Sequence, residues 1–186
     1  MEKASEKRIC SGGILTIPNL LSLFRIALIP LIIFLYSTES YVASGVVLII
    51  SGITDILDGI IARRFNMITD LGKVLDPIAD KTTQIIVALL LISHFPMMIL
   101  PLALGIAKES FMAISGYAIV KRRGIVPGAC WHGKAATVLL TVTMVIHLIW
   151  NRIPQDLSTV LISISAAMTV VSFALYTFRN IGLLTK

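Results

Sequence analysis

Apolar residues fill this chain in long blocks, and short polar stretches separate one block from the next. Six blocks come near the ~20 consecutive residues that cross a hydrocarbon core: residues 18–37, 42–62, 76–95, 97–120, 133–150 and 156–178. The pattern predicts an all-α integral membrane fold of six transmembrane helices with a short N-terminal interfacial segment. The first block contains Arg25 and Pro30, so it is expected to begin as an interfacial helix and kink before it spans. The opening MEKASEKRICSGG is basic and precedes an apolar run, as a secretory signal would. The run NLLSLFRIALIPLIIFLYST is longer than a signal core, however, and lacks a small-x-small cleavage site, so it reads as a span. No Pro-, Gly- or Ser-rich stretch is long enough for an interdomain linker, and residues 1–186 read as a single domain.

Composition says what the blocks face. Charged residues make up 14% of the chain and hydrophobic ones 56%, whereas a soluble domain carries about 25% charged residues. The surplus apolar surface is matched to the lipid bilayer. The basic residues then set an orientation. Lys3, Lys7, Arg8 and Arg25, then Arg63, Arg64, Lys73 and Lys81, then Lys121, Arg122, Arg123 and Lys134, and finally Arg179 and Lys186 all fall on one side of a six-span chain. The opposite loops offer only Arg152, beside Glu39 and Asp156. Both termini and the second–third loop are therefore expected in the cytoplasm. The net charge of +6 fits basic loops held against anionic headgroups. No basic soluble module is present to suggest a nucleic-acid partner. Cys10 and Cys130 fall on the cytoplasmic side, where disulfides are rare.

Residues 54–81, TDILDGIIARRFNMITDLGKVLDPIADK, put four aspartates at the ends of two apolar segments, where ionised groups are expensive. Asp55 and Asp58 are three apart and share a helix face, with the small residues Gly59 and Ala62 following on it. Gly72, Asp76 and Asp80 repeat the arrangement at intervals of four. Asp76 precedes Pro77, a pairing common where a helix starts, with Asp capping and Pro in the first turn. Four carboxylates gathered in one volume repel one another and are driven to protonate. A hard divalent ion such as Mg²⁺, Mn²⁺ or Ca²⁺ removes that problem, and carboxylates bridging two metals suit phosphoryl chemistry. The blander reading pairs these aspartates with Arg63, Arg64, Lys73 and Lys81 as solvated loop charges; four at matched spacing with small residues between them argue against it.

The spacing Asp55-x-x-Asp58-Gly59-x-x-Ala62-Arg63, eight residues, Gly72-x-x-x-Asp76-x-x-x-Asp80 resembles the signature of the CDP-alcohol phosphotransferase family, with every fixed position filled. TIPNLLSLFRIALIP further resembles the N-terminal segment of bacterial phosphatidylglycerophosphate synthases. The resemblance implies a membrane enzyme, a homodimer of six-helix protomers in the bacterial cytoplasmic membrane, that moves a phosphatidyl group from CDP-diacylglycerol to an alcohol and releases CMP. It implies that Asp55, Asp58, Asp76 and Asp80 hold two ions of Mg²⁺ or Mn²⁺, with Asp80 also the general base. Asp58, Gly59, Ala62, Arg63 and Gly72 would bind CDP. These roles suit the residues: small side chains admit a nucleotide, and Arg63 can make forked hydrogen bonds to a diphosphate. Such a site belongs at the headgroup level, because the donor's tails stay in lipid while its CDP head meets water.

The acceptor is less clearly written. Lys108 and Glu109 interrupt the fourth block, and charges there should face the protein interior or a polar cavity, or simply pair with charges on neighbouring helices. The corresponding region resembles an Arg-Glu pair in phosphatidylglycerophosphate synthases; Lys keeps the point charge and loses the fork. WHGKAATV resembles the family's G-K-x-K-T segment: Gly133, Lys134 and Thr137 match, and Ala136 stands where a second Lys is common. Lys108 and Lys134 are the expected acceptor ligands, although a basic anchor at the membrane edge is a ready alternative for Lys134. A basic pocket fits glycerol 3-phosphate; phosphatidylglycerol as acceptor would instead make the chain a cardiolipin synthase of the CDP-diacylglycerol type.

A divalent-cation transporter is the competing reading from another class, since intramembrane carboxylates also mark ion paths; a scaffold without activity is a third. The aspartates lie at helix ends on one side only, which disfavours a path. Asn19 reads equally as an active-site neighbour or a helix cap. His132 reads as interfacial, and His94 and His147 show no metal-ligand spacing. Arg122 and Arg123 read as lipid-contact charges. Trp131 and Trp150 fit interfacial anchoring.

Overall fold

The computed structural model describes residues 16–65, 69–124, 128 and 130–185, and for Arg63, Asp70, Lys73 and Arg123 the backbone alone. The expectations placed on Lys3, Lys7, Arg8, Cys10 and Lys186, and on the side chains of Arg63, Lys73 and Arg123, lie outside the described residues. Six α-helices and one short 3-10 turn (Pro96–Met98) follow in order: α1 Ile17–Ser37, α2 Tyr41–Arg64, α3 Asp70–Ile92, α4 Ile99–Arg123, α5 Trp131–Ile149 and α6 Gln155–Thr185. Among the described residues there is no strand.

Successive helices run up and down. α1 packs on α2 and α3, α5 packs on α6 and α2, and α4 packs mainly on α6. Large apolar side chains such as Phe34, Ile114 and Phe178 stand outward, more than half exposed, as suits a bundle solvated by lipid. The buried apolar core sits at one end: Ile32, Leu48, Val87, Leu91, Met144, Leu148 and Ile162 pack together there. At the other end the ends of α1, α2 and α3 bring the charged residues together.

Among the described residues five helices are long and apolar enough to cross a membrane: Ile17–Ser37, Tyr41–Ala62, Pro96–Arg122, Trp131–Ile149 and Gln155–Thr185. The chain is an integral membrane protein by this measure. The remaining block, expected as a sixth span over residues 76–95, maps onto α3, whose first half carries Asp70, Lys73, Asp76, Asp80 and Lys81 and so does not reach that apolar standard.

One expectation about a helix end changes. Residue 76 does not start a helix: α3 starts at Asp70, where the Thr69 hydroxyl caps it by accepting from the Gly72 amide at 3.0 Å. Pro77 therefore lies inside the helix and Asp76 is not its cap. α1 runs from Ile17 to Ser37 with Pro30 inside it and Pro18 in its first turn, a position where the missing amide costs nothing. At the end of α4, Gly124 takes φ +67, the left-handed conformation that stops a helix and favours glycine.

Candidate active site

α2 ends and α3 begins at the polar end of the bundle, so Asp55 and Asp58 face Asp76 across the helix pair. α1 lies against both and inserts a polar face of its own. Asn19, Ser22 and Arg25 recur at intervals of three on an otherwise apolar helix and are all buried. Arg25, 2% exposed, donates from Nη1 to Asp55 Oδ1 and from Nη2 to Asp58 Oδ2 at 2.6 Å. Asp76 Oδ1 lies 3.7 Å from the same Nη2, and the Ser22 hydroxyl contacts Asp76 as well. The Thr69 hydroxyl donates to Asn19 Oδ1 at 2.9 Å. Asp58 is buried, whereas the Asp55 and Asp76 side chains keep more than a third of their surface open.

Asp80, on the same cavity wall as Arg25 and Asp55, has other hydrogen-bond and ion-pair partners. Its Oδ1 accepts from Gln84 Nε2 at 3.1 Å, and its Oδ2 lies 3.5 Å from Lys81 Nζ. Lys81 also lies 3.2 Å from Glu109 Oε1, and buried Lys108 approaches that same oxygen at 3.2 Å. Glu109 thus bridges a lysine of α3 and a lysine of α4.

Two cavities have Asp80 in their walls. One, of about 500 Å³, is lined by Asp80, Lys81, Lys108, Glu109, Lys134 and Tyr176, and so brings both expected acceptor lysines to the wall that holds Asp80. The other, of about 420 Å³, runs from Arg25, Asp55 and Asp80 down between α2 and α5 along Leu48, Ile53, Val138, Val142 and Val145. A polar basin and an apolar slot therefore share one carboxylate.

Gly72 is buried against α1: a β-carbon there would stand 2.7 Å from Asn19 Oδ1. The space it leaves is taken by protein. Gly59 and Ala62 lie partly exposed on the last turns of α2, followed by Arg63 and Arg64. Gly133 admits Tyr176, whose hydroxyl would lie 2.4 Å from a β-carbon on residue 133 and accepts from the Cys130 amide at 2.9 Å. His132, His94 and His147 pair instead with Ser172, with Tyr36 and with Ser158. Trp131 and Trp150 stand exposed at opposite ends of α5.

The donor set is of the kind a hard divalent ion takes: Asp55, Asp58 and Asp76 already turn carboxylate oxygens toward one positive group. As the side chains stand, no three carboxylate, imidazole or thiol groups among the described residues converge closely enough to hold a metal, and the Arg25 guanidinium lies between the aspartates. The four expected ligands divide into three around Arg25 and Asp80 beside Lys81. Sequence reasoning counted Arg25 only as an orientation charge and Lys81 only as a loop cation. The available signal was the polar stripe Asn19, Ser22, Arg25 inside an apolar block.

The family model described as CDP-alcohol phosphatidyltransferase matches residues 15–171. A CDP-diacylglycerol–glycerol-3-phosphate 3-phosphatidyltransferase of Aquifex aeolicus is 32% identical over 181 residues, covering 92% of this chain and 99% of that protein. The protein of the same name from Escherichia coli is 35% identical over 142 residues, 73% of this chain and 77% of its own. A cardiolipin synthase (CMP-forming) of Streptomyces coelicolor is 35% identical over 142 residues, 73% of this chain and 66% of its own.

Proposed function

The chain belongs to the CDP-alcohol phosphatidyltransferase family, and from that premise we propose that it transfers the phosphatidyl group of CDP-diacylglycerol to glycerol 3-phosphate. A hydroxyl oxygen of the acceptor attacks the phosphorus that carries the diacylglycerol. The bond from that phosphorus to the bridging oxygen breaks, CMP leaves with the electron pair, and the hydroxyl proton passes to Asp80. The products are phosphatidylglycerophosphate and CMP.

The observation that supports this reading is the presence of Asp80 in the walls of both cavities. The slot between α2 and α5 suits the donor's apolar part, and the basin with Lys81, Lys108 and Lys134 suits an acceptor that already carries a phosphate. A general base must lie within hydrogen-bond reach of the attacking hydroxyl, and Asp80 faces both spaces. Gly59, Ala62 and Arg63 at the end of α2 are assigned to the cytidine diphosphate, Arg63 through its forked donors. Asp55, Asp58 and Asp76, with Asp80, are assigned to two ions of Mg²⁺ or Mn²⁺, which when bound supply positive charge to the diphosphate and the departing CMP.

The membrane frame belongs to the same proposal. α3 serves as the sixth span, its charged first half shielded by α1 and its apolar second half in the core. Lys81, Lys121, Arg122, Lys134 and Arg179 lie at the aspartate end, which is assigned to the cytoplasmic side of a bacterial membrane. A homodimer is supported by the family resemblance alone and is tested by light scattering in detergent.

One observation favours phosphatidylglycerol as an alternative acceptor. An apolar cavity of about 210 Å³ opens beside Lys108 and Glu109 along Leu102, Ile106, Leu140 and Met144, room that an acyl chain could use. The test is an acceptor panel: CMP and lipid product are measured from CDP-diacylglycerol with glycerol 3-phosphate, phosphatidylglycerol, inositol phosphate or serine. Phosphatidylglycerophosphate should dominate; cardiolipin as the main product moves the acceptor to the alternative, and no CMP with any acceptor removes the proposal.

A further inference from the structure

Arg25 is a cation in a place where a cation is expected to be delivered from outside. It is 2% exposed, two of its nitrogens donate to Asp55 and Asp58, and Asp76 lies within 3.7 Å. A guanidinium buried among membrane helices is tolerated only where opposite charge surrounds it. Here the surroundings overshoot: three carboxylates meet one guanidinium, leaving a formal excess of two negative charges. The Nε of Arg25 is buried without a hydrogen-bond partner. The side chain is thus anchored at its tip alone, and the contacts at that tip are to the carboxylates assigned to divalent ions.

We propose that Arg25 is the resident counter-cation of this cluster. It holds Asp55, Asp58 and Asp76 together in the ion-free protein and gives up those contacts when a divalent ion takes the same oxygens. A hard ion requires carboxylate oxygens at its own short coordination distance, and oxygens already accepting charge-assisted hydrogen bonds are not free to supply it. Ion binding is then an exchange, and breaking the guanidinium contacts subtracts from the affinity. In the ion-free state the same contacts stop like charges from driving the helix ends apart. Arg25 acts here as a positioning residue that sets ion affinity. The inference rests on the proposed ion site and is separable from it by experiment.

The test is Mn²⁺ binding, read from loss of the free-ion electron paramagnetic resonance signal. It uses detergent-purified wild type, Arg25→Gln, Arg25→Lys and Asp58→Asn, with neither donor nor acceptor present. Unfolding temperature is followed in parallel. Arg25→Gln should bind Mn²⁺ about tenfold more tightly, the size of one charge-assisted contact that no longer has to be broken. It should also unfold at a lower temperature without ion and gain more than wild type when Mn²⁺ is added. Arg25→Lys, which keeps the charge without the two-carboxylate fork, should fall between. Equal or weaker binding by Arg25→Gln, with Asp58→Asn losing the ion, overturns the role of Arg25 and leaves the ion site standing. Absence of binding in wild type and Arg25→Gln alike, or binding that Asp58→Asn does not disturb, removes the ion site and this inference together. Should Arg25→Gln not survive purification, unchanged or weaker binding by Arg25→Lys overturns the proposal.

Discussion

At the end of the bundle where α1 turns into α2, most buried side chains are apolar and pack against one another. At the end where α2 stops and α3 starts, the buried side chains include an arginine, an aspartate and a lysine, and two cavities have one carboxylate in their walls. The first end holds Leu91, Met98 and Leu148 without measurable exposure. Its polar side chains pair with one another and with the backbone, the Tyr36 hydroxyl 2.7 Å from His94 Nδ1 and His147 between the Thr143 carbonyl at 2.7 Å and Ser158 at 2.9 Å. The second end buries Arg25, Asp58 and Lys108 around an excess of negative charge. Burying apolar surface gains free energy, whereas burying charge costs it unless the geometry is well matched. The packed end therefore fixes where the helices stand, and the charged end uses that fixed frame to hold groups that would otherwise separate.

Substitutions at the two ends should behave differently, and the contrast sharpens or breaks with each. Asp58→Ala removes a buried partner of Arg25. It should abolish CMP release and lower stability by about 1.5–3 kcal/mol, the loss of one hydrogen bond between charged groups while Asp55 and Asp76 still face Arg25; a turnover assay and unfolding in detergent measure the two. Leu91→Ala at the packed end should lower stability by about 2–5 kcal/mol through the cavity it leaves, with the apparent KM for both substrates unchanged. A KM shift there would mean the ends are not separable. Lys134→Ala should weaken the apparent affinity for glycerol 3-phosphate about tenfold, the loss of one charge-assisted contact, with no change in unfolding temperature; unchanged affinity removes Lys134 from the acceptor basin. Tyr36→Phe should have the smallest effect, about 1 kcal/mol of stability from the lost hydrogen bond to His94, and none on turnover.

The two ends also differ in how legible they were. The helices followed from apolar block length, because a backbone in lipid must satisfy its own hydrogen bonds and does so as a helix. Boundaries were misjudged where a proline was weighed by its local preference: Pro77 seemed to mark a first turn, but the Thr69 cap seven residues before Asp76 starts α3 earlier. The aspartates were legible because their spacing is local to α2 and α3. The contacts of Arg25 were not, since they span 30 and 33 residues to Asp55 and Asp58, and periodicity within one helix does not say which neighbour a polar face meets. The surroundings of Asp80 were hidden for the same reason: Lys81, which lies beside it, also reaches Glu109 of α4, a contact between distant parts of the chain.

The account turns on Asp80 in the walls of both slot and basin. Its most direct test compares Asp80→Asn with wild type for CMP release from CDP-diacylglycerol and glycerol 3-phosphate, with CDP-diacylglycerol binding measured on the same samples. Removing the base should cut turnover by about 10²–10⁴-fold while donor binding and unfolding temperature stay near wild type. Turnover within a few-fold of wild type, with the protein folded and the donor bound, would contradict it.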